Sequence, residues 1–358
     1  MITVTKAFFP PIEDYQKQLQ RIWSNQWLTN RGELVLELEE KLKNYLQVPH
    51  VLCTNNGTIP LQIALKLLGN GGEIITTPFS YVATTSAIVW ENCTPVFVDI
   101  HPEYLTIDET KIEAAITPKT TAILATHVFG NSCNVEAIKA IALKYNLKVI
   151  YDAAHSFGTT YKGTSVFEFG DISTCSFHAT KLFHTGEGGA LFCNTKDFEL
   201  QSFYSHNFGH NGPEDFYGVG INGKLSELQA AMGLTVLPFM DTILKARKKV
   251  VAYYNTHLNF NKVSALKIRA HTQWNYSYYP VLFKDEATLL NVQEALNNAD
   301  IFPRRYFYPS LNTLNYIKST AMPVSENIAA RIVCLPLYNG LSEKELQHIV
   351  AIINKNIC

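Results

Sequence analysis

The chain has 358 residues, 47% hydrophobic and 17% charged, with a formal net charge of -1; it can bury a large core, and the lack of a basic excess argues against nucleic acid as its main partner. Seven cysteines, odd in number and without a C-x-x-C pair, read as reduced, buried thiols of a cytoplasmic protein, and no His or Cys cluster has the spacing of a metal site. The N-terminal M-I-T-V-T-K-A-F-F-P-P lacks a long apolar h-region and no run of about 18 apolar residues occurs, so neither export nor a membrane span is expected.

Along residues 51–150 short apolar runs alternate with helical spacing. V-L-C-T, E-I-I-T, P-V-F-V, A-I-L-A and K-V-I-Y read as strands, and each of the first four precedes a helix-like segment, as at 59–68 and 135–145. This βαβα rhythm predicts an α/β fold with a mostly parallel sheet covered on both faces. I-S-T-C-S-F and G-A-L-F-C-N are two further strands, followed by helices over 198–205 and 225–254. The run K-A-R-K-K at 245–249 reads as the solvated face of the second helix. Beyond residue 255 an extended aromatic stretch, W-N-Y-S-Y-Y-P-V-L-F, precedes helices at 287–297 and 342–354, which predicts a smaller α+β unit.

Two places in this pattern hold reactive groups. Asp152 stands just past K-V-I-Y, at the carboxyl end of a strand, where ligands of such sheets bind. Lys181 lies in S-F-H-A-T-K-L-F-H-T-G-E-G-G-A-L, between two strands. Alone, the lysine reads as a surface residue and the aspartate as a turn cap. Together they supply what pyridoxal phosphate (PLP) chemistry needs: an amine to condense with the cofactor aldehyde, and a carboxylate that keeps the pyridine nitrogen protonated so that the ring accepts electrons. Gly57 and Thr58, with Pro60 in the first helical turn, form either an ordinary strand–helix turn or an anion site of free helix N-terminal amides. Arg304 and Arg305, in F-P-R-R-Y-F-Y-P, are either solvated or fork-like partners for a phosphate or carboxylate.

In their order, T-N-N-G-T, T-P-F-S-Y-V-A-T-T, V-D-I, Y-D-A-A-H, S-F-H-A-T-K with G-E-G-G, G-I-N-G-K-L-S-E-L-Q-A-A and R-R-Y-F-Y-P resemble the DegT/DnrJ/EryC1/StrS family of sugar aminotransferases over essentially the whole chain. The resemblance implies the fold of type I PLP-dependent aminotransferases, with a large PLP-binding domain at 1–250 and a small C-terminal domain at 251–358. It implies phosphate contacts from the backbone of Gly57, Thr58 and Ile59 and from Ser176, although many members have a small residue where Ile59 stands. Tyr81 matches the aromatic residue that stacks on the ring, and His155 a residue near the ring hydroxyl. Asp152 then pairs with the ring nitrogen, and Lys181 holds the cofactor and later moves the proton. Tyr151 replaces a Glu common in the family and reads as packing.

Asn222 matches a residue that reaches the cofactor phosphate of the other subunit in a homodimer with shared active sites, and the Gly-, Asn- and His-rich stretch at 204–218 is expected to line that shared site. His178, Arg304 and Arg305 are candidates for the substrate side, with loop structure as the alternative role of His178 and of His184. Lysine at 181, where related sugar dehydratases carry histidine, favours amino transfer. The implied reaction moves an amino group from glutamate, by way of the pyridoxamine phosphate (PMP) form, to C4 of a nucleotide-linked keto-deoxysugar, dTDP-4-keto-6-deoxyglucose, for O-antigen lipopolysaccharide or a similar polysaccharide. Transamination at C3 of a dTDP-3-keto-6-deoxyhexose is the alternative. A DNA-binding regulator has neither a helix-turn-helix nor a basic patch to support it.

Overall fold

Seven strands carry the site in the computed structural model, which describes residues 1–318 and 320–357. They are β1 (Val51–Thr54), β2 (Glu73–Thr76), β3 (Thr94–Phe97), β4 (Thr120–Thr126), β5 (Lys148–Asp152), β6 (Ile172–Ser176) and β7 (Gly189–Cys193). Their order across the sheet is β1-β7-β6-β5-β4-β2-β3, and β7 alone runs against its neighbours. Neighbouring residues point to opposite faces, and both faces are covered, which is why these strands read as continuous apolar runs. Ile74, Leu124, Ile150 and Leu191 pack under one layer of helices. Ile75, Ile123 and Val149 pack on the other side with Ile138 and Ala142.

The helices before the C-terminal unit are α1 (Ile12–Asn25), α2 (Glu33–Leu46), α3 (Thr58–Leu68), α4 (Val82–Trp90), α5 (Val135–Tyr145), α6 (Lys196–His206), α7 (Glu227–Val236) and α8 (Met240–His257). The helix predicted over 225–254 is thus two helices. Leu237–Phe239 forms a 3-10 turn between them, where Pro238 lacks the N–H an unbroken helix would use. The helix predicted after β3 is also absent. There Ile100 bridges antiparallel to Ile107, and the Asp108 carboxylate accepts from the Thr110 amide to start the short 3-10 turn Glu109–Lys111, a local bond that competes with helix formation.

The K-A-R-K-K run is not wholly solvated either. Arg247 falls on the same face of α8 as Ile243, Val250 and Val251 and is buried with them. Its guanidinium donates to the carbonyls of Ser277 at 2.9 Å and Tyr276 at 3.3 Å. Beyond it, β8 (Ser264–Ala265), β9 (Tyr279–Leu282) and β10 (Ile332–Leu335) form an antiparallel sheet with α9 (Glu286–Asn297), α10 (Pro323–Arg331) and α11 (Glu343–Asn356). Only Tyr279–Leu282 of the aromatic stretch pairs as a strand. Upstream, Tyr276 takes a left-handed conformation at φ 55, and Asn275 turns inward to donate to the carbonyls of His155 and Phe157 at 2.8 and 3.0 Å.

The S-E-L-Q word organises the junction between α7 and the N-terminal helices. Ser226 and Gln229 close a reciprocal capping box on α7. Between them, the buried Glu227 carboxylate accepts from the amides of Leu34 at 2.8 Å and Val35 at 3.2 Å. Those two donors belong to the first turn of α2 and have no partner within their own helix. Replacing Glu227 by Ala leaves both unsatisfied, and an expected loss of about 2–4 kcal/mol would be measured by urea unfolding; a midpoint unchanged from wild type would refute the role.

Candidate functional site

The reactive groups collect where the parallel strands end, at their carboxyl edge. Asp152 is the last residue of β5 and Ser176 the last of β6, while the turns after β1 and β2 contribute Gly57, Thr58 and Tyr81. These residues line one cavity of about 250 Å³ together with His155, His178, Lys181 and Arg304. Nine of the sequence-predicted site residues therefore meet in one place. Ile59, Arg305 and Asn222 do not line it.

Lys181 is held there by a tight excursion between β6 and the returning β7. The Phe177 amide donates to the Gly188 carbonyl at 2.8 Å, the Ala179 amide to Gly186 at 2.7 Å, and the Lys181 amide to His178 at 2.8 Å. His178 accepts at Nδ1 from the Thr180 amide at 3.2 Å and faces Glu187 with Nε2 at 3.5 Å. His184 instead anchors the loop: its Nδ1 accepts from the Gly186 amide at 3.3 Å, which leaves Nε2 to donate to the Phe8 carbonyl at 2.8 Å. Gln229 ties this loop to the turn after β1, donating to the carbonyls of Glu187 at 2.8 Å and Asn55 at 3.3 Å.

The turn after β1 is built for close approach. A Cβ on Gly57 would stand 2.5 Å from that of Ser176, so only glycine lets the start of α3 meet the end of β6. The amides of Thr58 and Ile59 donate to Asn56 Oδ1 at 2.8 and 2.9 Å. Asn222 lies exposed beside this turn, its carbonyl 3.5 Å from Asn55 Nδ2. The arginine pair is divided. Arg304 lines the cavity with its guanidinium 4.8 Å from the Tyr306 ring centre. Arg305 is engaged outside it, by Glu286 at 2.6 Å, the Ala330 carbonyl at 2.8 Å and the Tyr308 ring.

Burial sets the electrostatics. It pushes the Asp152 carboxyl up from the usual range, against hydrogen bonds from Thr84 and the Ala154 amide and the nearby Lys181 charge. It pushes the Lys181 ammonium down, opposed by Tyr306 and Asp152. Each group is thus biased toward its neutral form until something charged joins them. His155 is held well below its ordinary value by burial and by Lys181. Its Nδ1 accepts from the Phe129 amide at 3.1 Å, so Nε2 carries the proton and is the donor. Behind the site, buried His127 stacks on Tyr151 with ring centres 4.5 Å apart.

Sequence reasoning missed several members of this site. Tyr306 and Phe307 line the cavity from the R-R-Y-F-Y-P word, where the arginines draw attention instead. Thr84 reaches Asp152 Oδ2 at 2.7 Å; its position one turn after Tyr81 in F-S-Y-V-A-T was the available signal.

The sequence profile of the DegT/DnrJ/EryC1/StrS aminotransferase family matches residues 12–354. The chain is 42% identical to the dTDP-4-amino-4,6-dideoxy-D-glucose transaminase of Shigella dysenteriae, over 99% of this chain and 98% of that one. It is 38% identical to the Escherichia coli protein of the same name, over 98% of each. Among solved structures, that of DesI in the presence of its TDP-sugar product matches with a TM-score of 0.93 at 30% identity, over 99% of this chain and 92% of that one.

Burial also makes the fold sensitive to acid. His127 is pushed down to about 3 and His206 to about 4, whereas in an unfolded chain each takes up its proton near pH 6.5. Between those values the unfolded state binds more protons, so stability falls as pH drops from about 6.5, by roughly 1.4 kcal/mol per pH unit for each histidine, down to about 4 for His206 and about 3 for His127. Urea unfolding at neutral and mildly acid pH is expected to show a shallower loss for His127→Gln than for wild type; an equal slope would assign the acid sensitivity elsewhere.

Proposed function

This chain belongs to the DegT/DnrJ/EryC1/StrS aminotransferase family, and on that premise we propose that it moves an amino group from glutamate to C4 of dTDP-4-keto-6-deoxyglucose, giving dTDP-4-amino-4,6-dideoxyglucose. The chain is a PLP-dependent sugar aminotransferase, and its cavity fits that cofactor. A buried carboxylate, an amine without a salt bridge among the described residues, and a glycine turn pressed against a serine are the groups a phosphorylated pyridine aldehyde needs. When bound, PLP supplies an aldehyde that takes up amines and a protonated ring that accepts electron density.

The protein's own residues do the rest. Asp152 offers its charge to the ring nitrogen and the Ser176 hydroxyl a donor to the phosphate, and the Thr58 and Ile59 amides can join it only by leaving Asn56 Oδ1. Tyr81 lends an exposed ring face, and His155 a single donor at Nε2. Lys181 would hold the cofactor and, once freed as an amine, would act as base and acid to move the proton between the donor carbon and the cofactor carbon. Burial favours this role by keeping more of the amine unprotonated. Arg304, without a carboxylate partner among the described residues, is available at the cavity for the glutamate carboxylate or the sugar pyrophosphate.

The observation that carries the sugar assignment is the identity of 42% over nearly the full length to a relative named for that product. A homodimer with shared sites belongs to the same reading. Trp23 is 69% exposed and Val219 79%, and such apolar surface on α1 and the loop before Asn222 suits a subunit interface. No helix among the described residues is long and apolar enough to cross a membrane, and a cytoplasmic enzyme feeding O-antigen or a similar polysaccharide fits this picture.

With PLP-loaded protein, glutamate and dTDP-4-keto-6-deoxyglucose, NMR is expected to locate the new amine at C4. An amine formed only from the 3-keto isomer would move the reaction to C3, and no product from either would overturn the sugar assignment. Lys181→Ala and Asn222→Ala are each expected to be nearly inactive, with activity returning when the two are mixed and allowed to exchange subunits. Failure to recover activity in demonstrated mixed dimers would count against shared sites.

A further inference from the structure

Asp152 is met by one hydroxyl, behind which two more stand in line. Thr84 Oγ1 lies 2.7 Å from Asp152 Oδ2, Ser80 Oγ 2.7 Å from Thr84 Oγ1, and Thr126 Oγ1 3.1 Å from Ser80 Oγ. All four side chains are buried. The direction of this chain follows from counting hydrogens. An ionised carboxylate only accepts, so the one hydroxyl hydrogen of Thr84 goes to Asp152. Ser80 must then donate to Thr84, and Thr126 to Ser80. The other carboxylate oxygen, Oδ1, accepts from the Ala154 amide at 3.1 Å. A proton on Oδ2 aimed at Thr84 would turn the Thr84 hydrogen away from the carboxylate, and the line of three donors would no longer end on a charge. Aligned hydrogen bonds in a water-poor interior reinforce one another.

The three hydroxyls come from places that matter. Thr126 ends β4 and pairs in register with Asp152 on β5. Ser80 immediately precedes Tyr81, and the Thr84 amide donates to the Tyr81 carbonyl at 3.1 Å. We propose that Thr84, oriented through Ser80 by Thr126, is a positioning residue that holds Asp152 as an acceptor-only carboxylate facing the cofactor's ring nitrogen and fixes it relative to Tyr81. The proposal rests on the PLP-dependent reading above and adds Thr84, which stands behind the cavity wall, with Ser80 and Thr126, which form part of that wall. Around Asp152, the titratable groups are Lys181 and Cys175 from β6 and its loop, and His155 from the turn after β5. His127 follows Thr126 at the end of β4, while the parts of the relay on α4 and the turn before it bring hydroxyls alone.

Thr84→Val removes the hydroxyl and keeps the shape, and Thr84→Ser restores it. PLP affinity, the pH dependence of the bound cofactor's absorbance, and kcat against KM for the sugar would be measured for both and for Ser80→Ala. For Thr84→Val the expected result is PLP binding weaker on the order of tenfold, a displaced absorbance midpoint, and a fall in kcat exceeding any change in KM. Thr84→Ser should behave as wild type, and Ser80→Ala should shift the same quantities in the same direction by less. An unchanged midpoint and affinity in folded Thr84→Val would overturn the relay, as would a Thr84→Ser variant as impaired as Val, since packing alone would then explain the loss. Where Thr84→Val fails to fold, Ser80→Ala decides, because it keeps the Thr84–Asp152 contact: a shift supports the relay and none overturns it. Wild-type protein that shows no PLP absorbance would instead sink the aminotransferase reading.

Discussion

A carboxyl group and an amine, each biased by burial toward its neutral form, share one small cavity at the edge of the central sheet, and much of the surrounding chain keeps them there. Burying Asp152 away from water is unfavourable unless its oxygens are satisfied. The Ala154 amide and the Thr84 hydroxyl satisfy one bond on each. Lys181 is brought opposite by the reversal from β6 to β7, the one antiparallel member of the large sheet. Neither group has a salt-bridge partner among the described residues. The attraction between them is kept for a third charged participant and is not spent on an internal ion pair.

Much of this was legible beforehand, because the features concerned are written in local sequence. Parallel strands buried on both faces must be apolar throughout, and the seven runs predicted are the seven strands found. Asp152 and Lys181 stood out because a carboxylate at a strand end and a lysine between two strands are chemically suggestive together. The helices expected over 287–297 and 342–354 are found as Glu286–Asn297 and Glu343–Asn356.

What stayed hidden depends on contacts far apart in sequence. Helices α1 and α2 have no counterpart among the predicted elements. Their placement relies on distant partners such as Glu227, which lies 193 residues from Leu34. Arg304 and Arg305 are adjacent in sequence, yet the chain turns between them and Tyr306, whose amide donates to the Arg304 carbonyl at 3.0 Å, and one meets the cavity while the other meets Glu286. Arg247 reads as solvated in a basic run because the run ignores which face of α8 each residue occupies. Thr84 carries no charge and lies on a helix of little amphipathic character, where a threonine suggests only packing.

The approach of the turn after β1 to β7 restricts how such a protein can diversify. A Cβ on Gly189 would stand 2.4 Å from the Asn56 carbonyl oxygen, and one on Gly57 would meet Ser176. Libraries aimed at new sugar preferences would therefore lose their variants at these two glycines, where any side chain meets a neighbour. The productive positions are on the rim, where Arg304 and Glu187 are exposed side chains with room to change length and charge. Selectivity can drift there over generations while the two glycines stay fixed.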